Sequence, residues 1–160
     1  MARRKSVNFI RDIKPDVRYG SKDVQKLINI IMWRGKKNAA RTIVYDALDI
    51  LTKKSSGDQH KALAMFARSL EQITPAIEVR PRRVGGSVYQ IPAEVSEHRG
   101  RSLAYRWLIA AAASRGDKTM GERLAHELIE AYEGRGNAIK KKLDVHKMAE
   151  ANRAFSHFSW

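Results

Sequence analysis

The chain has no cysteine, which excludes disulfides, thiolate metal sites and cysteine nucleophiles together. Acidic residues are scarce: 17 Asp and Glu stand against 31 Lys and Arg, for a net charge of +14 and a pI near 10.3. An unpartnered domain is soluble at a net charge of roughly 2 to 8 units, so the excess points to a polyanionic partner. Nucleic acid comes first and an anionic membrane surface second. Long apolar runs are also missing. The longest, Trp107 to Ala113, falls far below the roughly 20 residues that span a bilayer. Met1 to Ile13 is basic but lacks the apolar core of a signal peptide. The expectation is a soluble, non-secreted protein that does not act at a membrane.

What is present is enough for a core. A hydrophobic fraction of 43% over 160 residues fits one globular domain. Residues 1–20 lack helical periodicity, carry Arg3, Arg4, Lys5, Arg11, Lys14 and Arg18, and are interrupted by Pro15 and Gly20. They read as an extended basic arm preceding a single domain over 21–160. Val24, Leu27, Ile28 and Ile31 then share a helical face, with Ser21 as cap and Gly35 as stop. Ala40, Ile43, Val44, Ala47, Leu48 and Leu51 form a second stripe, ending before Ser55-Ser56-Gly57. A third helix opens at Asp58, turns Ala62, Leu63, Phe66, Leu70 and Ile73 inward, and stops before Pro75.

The period then changes. Ile77 and Val79, then Val88, Tyr89 and Ile91, flank Arg82 to Ser87, and Gly85-Gly86 can take the positive φ of a tight turn. This predicts a β-hairpin over about 76–93. Pro81 and Pro92 lack amide donors, so a free-standing ribbon is expected rather than part of a larger sheet. Leu103, Ala104, Trp107, Leu108 and Ala111 open a fourth helix. A fifth follows Asp117 and ends at Gly134 to Gly136; a polar sixth runs from Asn137 to Ala154. The fold class is mainly α: a bundle of about six helices, one protruding β-hairpin arm and basic terminal extensions.

No catalytic or metal constellation stands out. The histidines at 60, 98, 126, 146 and 157 never take zinc-ligand spacing, and the stretch from His126 places Glu130 where a second ligand would stand. No Lys and Ser or Thr follow Gly85-Gly86 as in a nucleotide loop. No cofactor is implied. The signal is cationic. On the fourth helix Leu103, Ala104, Trp107, Leu108 and Ala111 are expected on the core side. His98, Arg99, Arg101, Ser102, Tyr105 and Arg106 are expected opposite, with Glu97 the acid nearby. Solvated faces mix both signs, whereas this one reads as an RNA surface with one aromatic interleaved. Arg80, Arg82 and Arg83 repeat the pattern beside the glycine turn, since arginine's planar fork suits phosphate oxygens. Lys36-Lys37 after Gly35 is either a solvated turn or a phosphate contact, and Lys140-Lys141-Lys142 leads the sixth helix.

The stretch Val79 to Val95 (VRPRRVGGSVYQIPAEV), Arg106-Trp107-Leu108, Gly35-Lys36-Lys37 and Met148 to Phe158 (MAEANRAFSHF) resemble ribosomal protein seven of the small subunit in its bacterial form. The likeness runs from about Tyr19 to the end. It implies six helices with an extended β-arm, no enzymatic activity, and a cytoplasmic, ribosomal location, bacterial rather than organellar. It also implies binding to the three-prime major domain of small-subunit ribosomal RNA, a part in starting head assembly, and a contribution to the exit site for transfer RNA. By position, Arg3, Arg4, Lys5, Arg80, Arg82, Arg83, Arg99, Arg101 and Arg106 would face ribosomal RNA. Arg83 to Ser87, Gly85 and Gly86 included, would approach exit-site transfer RNA. The C-terminal helix would lie near messenger RNA and a neighbouring ribosomal protein.

Two rivals belong to other classes. A DNA-binding regulator or nucleoid protein would use helices joined at Gly35 as a helix-turn-helix, but the helix before it is strongly apolar (Leu27, Ile28, Ile30, Ile31, Met32) and is expected to be buried on more than one side. An RNA-processing enzyme would need a titratable constellation, and the sequence suggests none.

Overall fold

A computed structural model describes residues 12–158. Six α-helices appear in the expected order: α1 Lys22–Ile31, α2 Lys37–Lys54, α3 Gln59–Ile73, α4 Glu97–Ala113, α5 Met120–Tyr132 and α6 Asn137–Ala151. Between α3 and α4 lie β1 Ile77–Val84 and β2 Ser87–Glu94. Helix starts follow local hydrogen bonding. Asp58 accepts from the backbone N–H of His60 and Lys61, and Thr119 forms a capping box with Glu122, meeting donors a helix otherwise leaves unpaired. The sixth helix is shorter than expected: it ends at Ala151, and Arg153–Phe158 tightens into a 3₁₀ segment.

The core runs through all six helices. Val24, Leu27 and Ile28 of α1 meet Val44, Leu48 and Leu51 of α2, Phe66 and Ile73 of α3, Leu108 of α4, and Leu124 and Leu128 of α5. Burial of α1 is one-sided, against the expectation from its composition: Ile30 is exposed, and Ile31 and Met32 are only partly covered. The start of α4 lies against the end of α3. A methyl group on Gly100 would sit 3.0 Å from Thr74 Cγ2 and 3.2 Å from the Pro75 carbonyl oxygen. That approach sets the hairpin root beside the N-terminal turn of α4.

The hairpin pairs Ile77 with Glu94 through Val84 with Ser87, leaving a two-residue turn. Gly85 and Gly86 have φ of 57° and 94°, the double positive φ of a type I′ turn, whose twist matches that of the strands. Among the described residues the ribbon joins no larger sheet, and its root is docked. Ile91 is buried, and Tyr89 packs on Phe155 of the 3₁₀ segment with ring centroids 4.8 Å apart.

Arg3, Arg4 and Lys5 lie outside the described residues. The last part of the expected arm is anchored. Asp16, almost wholly buried, accepts from the Tyr45 hydroxyl at 2.8 Å and from the backbone N–H of Arg18 and Tyr19. Arg18 makes a two-pronged pair with Asp49 of α2. Asp16, Arg18 and Tyr19, within the stretch expected to form the arm, are therefore tied to one another and to α2.

Candidate nucleic-acid interface

Two of the expected arginines, from different elements, meet on one carboxylate. Glu78 of β1 has a side chain 8% exposed. It accepts from Arg99 Nε of α4 at 2.7 and 2.9 Å and from Arg80 Nε on its own strand. Both arginine side chains stay about half exposed. The carboxylate holds each arginine through its Nε, and arginine's planar fork of donors suits bidentate recognition of phosphate. Burial alone would raise the Glu78 pKa, but the hydrogen bonds from Arg99 and Arg80 outweigh it and hold the carboxyl below the usual glutamate range.

The cationic face expected on α4 is split. At about 100° per residue, Arg99 and Arg106 lie on nearly the same side, while Arg101 is turned about 200° away from Arg99. Arg106 is exposed and in no ion pair among the described residues. Arg101 instead reaches Asp23 of α1 at 3.4 Å. Tyr105 is not on the surface: it is 1% exposed, and its hydroxyl donates to Asp23 Oδ1 at 2.9 Å. Burial, then the charge of Asp23, drive its pKa up. Lys26 lies over the Tyr105 ring at 5.5 Å from its centroid. The aromatic assigned to an RNA face is therefore a core residue, and Leu103 and Trp107, expected inside, are only partly buried.

On the ribbon, Arg80 and Arg82 share a face with Ile91 and Tyr89, while Arg83 shares the other with Val88, because side chains alternate along a strand. Arg82 and Arg83 are exposed beside the glycine turn. Lys36 and Lys37 are exposed at the start of α2, Lys36 as its N-cap. Lys140 and Lys141 are exposed on α6, but Lys142 turns inward. Its Nζ donates to the Gln72 carbonyl oxygen at 2.6 Å, and burial lowers its pKa. Lys142 is therefore not a surface contact.

Sequence reading missed Glu78 and Asp23, the acids that organise these cations. It also missed a buried structural pair, Arg115 with Glu127. Glu127 is fully buried, bonds Arg115 Nη1 at 2.7 Å and accepts from the Ala138 backbone N–H at the start of α6. His126 Nδ1 lies 3.1 Å from Asp117. Among the described residues no group of three or more His, Asp or Glu could hold a metal ion, and no helix is long and apolar enough to cross a membrane.

Residues 2–153 match the family described as Ribosomal protein S7p/S5e. Small ribosomal subunit protein uS7 of Methylocella silvestris is 51% identical over 160 residues, all of both chains. The protein of that name from Thermotoga petrophila is 52% identical over 151 residues, 94% of this chain and 96% of its own. That of Aeromonas salmonicida is 49% identical over the full length of both.

Proposed function

The chain belongs to the ribosomal protein S7p/S5e family, and from that premise we propose that it works as a structural, non-enzymatic component of the small ribosomal subunit in the cytoplasm. It binds the three-prime major domain of small-subunit ribosomal RNA, beside neighbouring ribosomal proteins, and helps start assembly of the head. The hairpin tip, Arg83 to Ser87, reaches the exit site for transfer RNA, and α6 lies near messenger RNA.

The observation that carries the RNA reading is the joint presentation of Arg80 and Arg99 by Glu78, on a chain of net charge +14. Counterion release supplies affinity, and the fixed geometry of root and helix selects a folded RNA shape. The rigid root and α4 act as the anchor, and the thin ribbon as a probe that becomes ordered on contact.

Titration of the isolated RNA domain tests this. If about six phosphates are neutralised, log affinity falls against log salt with a slope of about −4 to −5. A slope near zero, or equal affinity for an unrelated RNA, refutes it. Deleting Arg83 to Ser87 is expected to weaken that binding less than the combined Arg99→Ala, Arg101→Ala and Arg106→Ala change, while loosening exit-site transfer RNA on assembled subunits. The reverse order would exchange anchor and probe.

A further inference from the structure

The turn joining α1 to α2 carries a surface that neither the hairpin nor α4 explains. Trp33 is 75% exposed, an unusual state for a side chain whose burial ordinarily dominates core and interface energetics. Its carbonyl oxygen accepts from the Lys36 N–H at 3.1 Å, across Arg34 and Gly35 with φ of 51° and 74°. Two successive residues of positive φ give a tight turn, and a non-glycine residue held there is strained. The turn sets the indole as one wall of a cleft of about 230 Å³ floored by Ile31, Ala39, Ala40 and Ile43, with Arg34 and Lys36 also lining it.

The charge around this cleft is of one sign. No Asp or Glu occurs between Asp23 and Asp46. Helix α2 has no acidic residue in its first turn and no side-chain cap. None of Arg34, Lys36 and Lys37 is in an ion pair among the described residues. An apolar protein partner would bury these cations without compensation. A nucleotide would satisfy both halves of the surface at once, its base against the indole and its phosphates on the cations.

We propose that Trp33 is a stacking platform for one unpaired RNA base, with Arg34, Lys36 and Lys37 holding the phosphates on either side. The proposal rests on the ribosomal RNA reading above and adds to it a seat for a single-stranded nucleotide, apart from the Arg80 and Arg99 pair. Because every base has a π-face, the seat is tolerant of base identity and selects for an unstacked nucleotide.

The test compares the unaltered full-length chain with Trp33→Ala, Trp33→Leu and Trp33→Phe, titrated against the isolated three-prime major domain RNA, with thermal unfolding of each. Trp33→Ala and Trp33→Leu are expected to weaken binding by about 5- to 150-fold, with unfolding midpoints and the salt slope unchanged. Trp33→Phe, which keeps a ring, is expected to retain most of the affinity. Binding by Trp33→Ala equal to that of the unaltered chain, or equal weakening by Leu and Phe, overturns the stacking seat while leaving the ribosomal RNA reading intact. Normal RNA binding by Trp33→Ala with poor incorporation alongside other subunit proteins makes the surface a protein contact and also overturns it. Failure of the unaltered chain to bind sinks the wider reading, and this one with it.

Discussion

Replacing Glu78 by Gln removes a negative charge from a surface proposed to bind a polyanion, so a purely coulombic argument expects tighter RNA binding. The geometry expects weaker binding. Glu78 holds Arg80 and Arg99 through their Nε atoms, and a neutral amide can accept from one guanidinium while turning its own donors toward the other. Each long side chain released must be immobilised again on binding, at about 0.5 to 1.5 kcal/mol. For two arginines this gives about 1 to 3 kcal/mol, or about 5- to 150-fold in affinity. Fold stability falls by a smaller amount, about 1 to 2 kcal/mol, because the arginines are half exposed and regain water. The pH dependence follows the same carboxyl. Its folded pKa is depressed, so its contribution is complete above the ordinary glutamate value of 4.5 and is lost as pH falls below that through the folded value. RNA titrations at one salt concentration, with denaturant melts of both proteins at pH 7, measure the two effects. Glu78→Gln binding RNA as tightly as the unaltered chain, or more tightly, with a steeper salt slope, would refute the positioning argument.

Other groups give separate outcomes. Tyr105→Phe deletes the hydrogen bond to Asp23 and should lower stability by about 0.5 to 1.5 kcal/mol in denaturant melts, with RNA affinity unchanged. Loss of RNA affinity would put that ring back on the interface. Lys142→Met should leave the salt slope of RNA binding as it is, since its amine is bonded to Gln72. Lys140→Gln with Lys141→Gln should reduce the slope by up to about 0.9 for each phosphate no longer neutralised. His146 has its pKa lowered by burial and then by the charge of Lys142. Its contribution is therefore complete above the ordinary histidine value of 6.5 and is lost as pH falls through the folded value. Thermal melts at pH 7.5 and pH 5 should show a smaller loss for His146→Gln than for the unaltered chain.

The helices and the hairpin were legible because their signals are local. Stripes at Val44, Leu48 and Leu51, the Asp58 cap and the Gly85-Gly86 turn each act within a few residues of one another. Tyr105 was misplaced because helical rotation sets it beside Arg101, whereas its burial is decided by Asp23 on a helix remote in sequence. Glu78 was passed over for a similar reason: between Ile77 and Val79 it looks like an isolated strand acid, and only the fold brings Arg99 to it. Lys142 sits in a run of three lysines whose members differ solely by the side of α6 they occupy. The anchoring of Asp16 likewise depends on the Tyr45 hydroxyl, which no periodicity within residues 12–20 announces.

The contact between Tyr89 and Phe155 also bears on the order in which the molecule assembles. It joins the ribbon to the 3₁₀ segment across a span of chain that contains α4, α5 and α6, so forming it alone would close a loop holding all three helices. Closing so long a loop is entropically unfavourable and rewarded only at the end. The clasp between ribbon and C-terminal segment is therefore expected to lock after the helices that it spans have packed. Backbone amides of the 3₁₀ segment Arg153–Phe158 should accordingly gain exchange protection after those of α4 and α5, and give it up sooner when the protein is warmed.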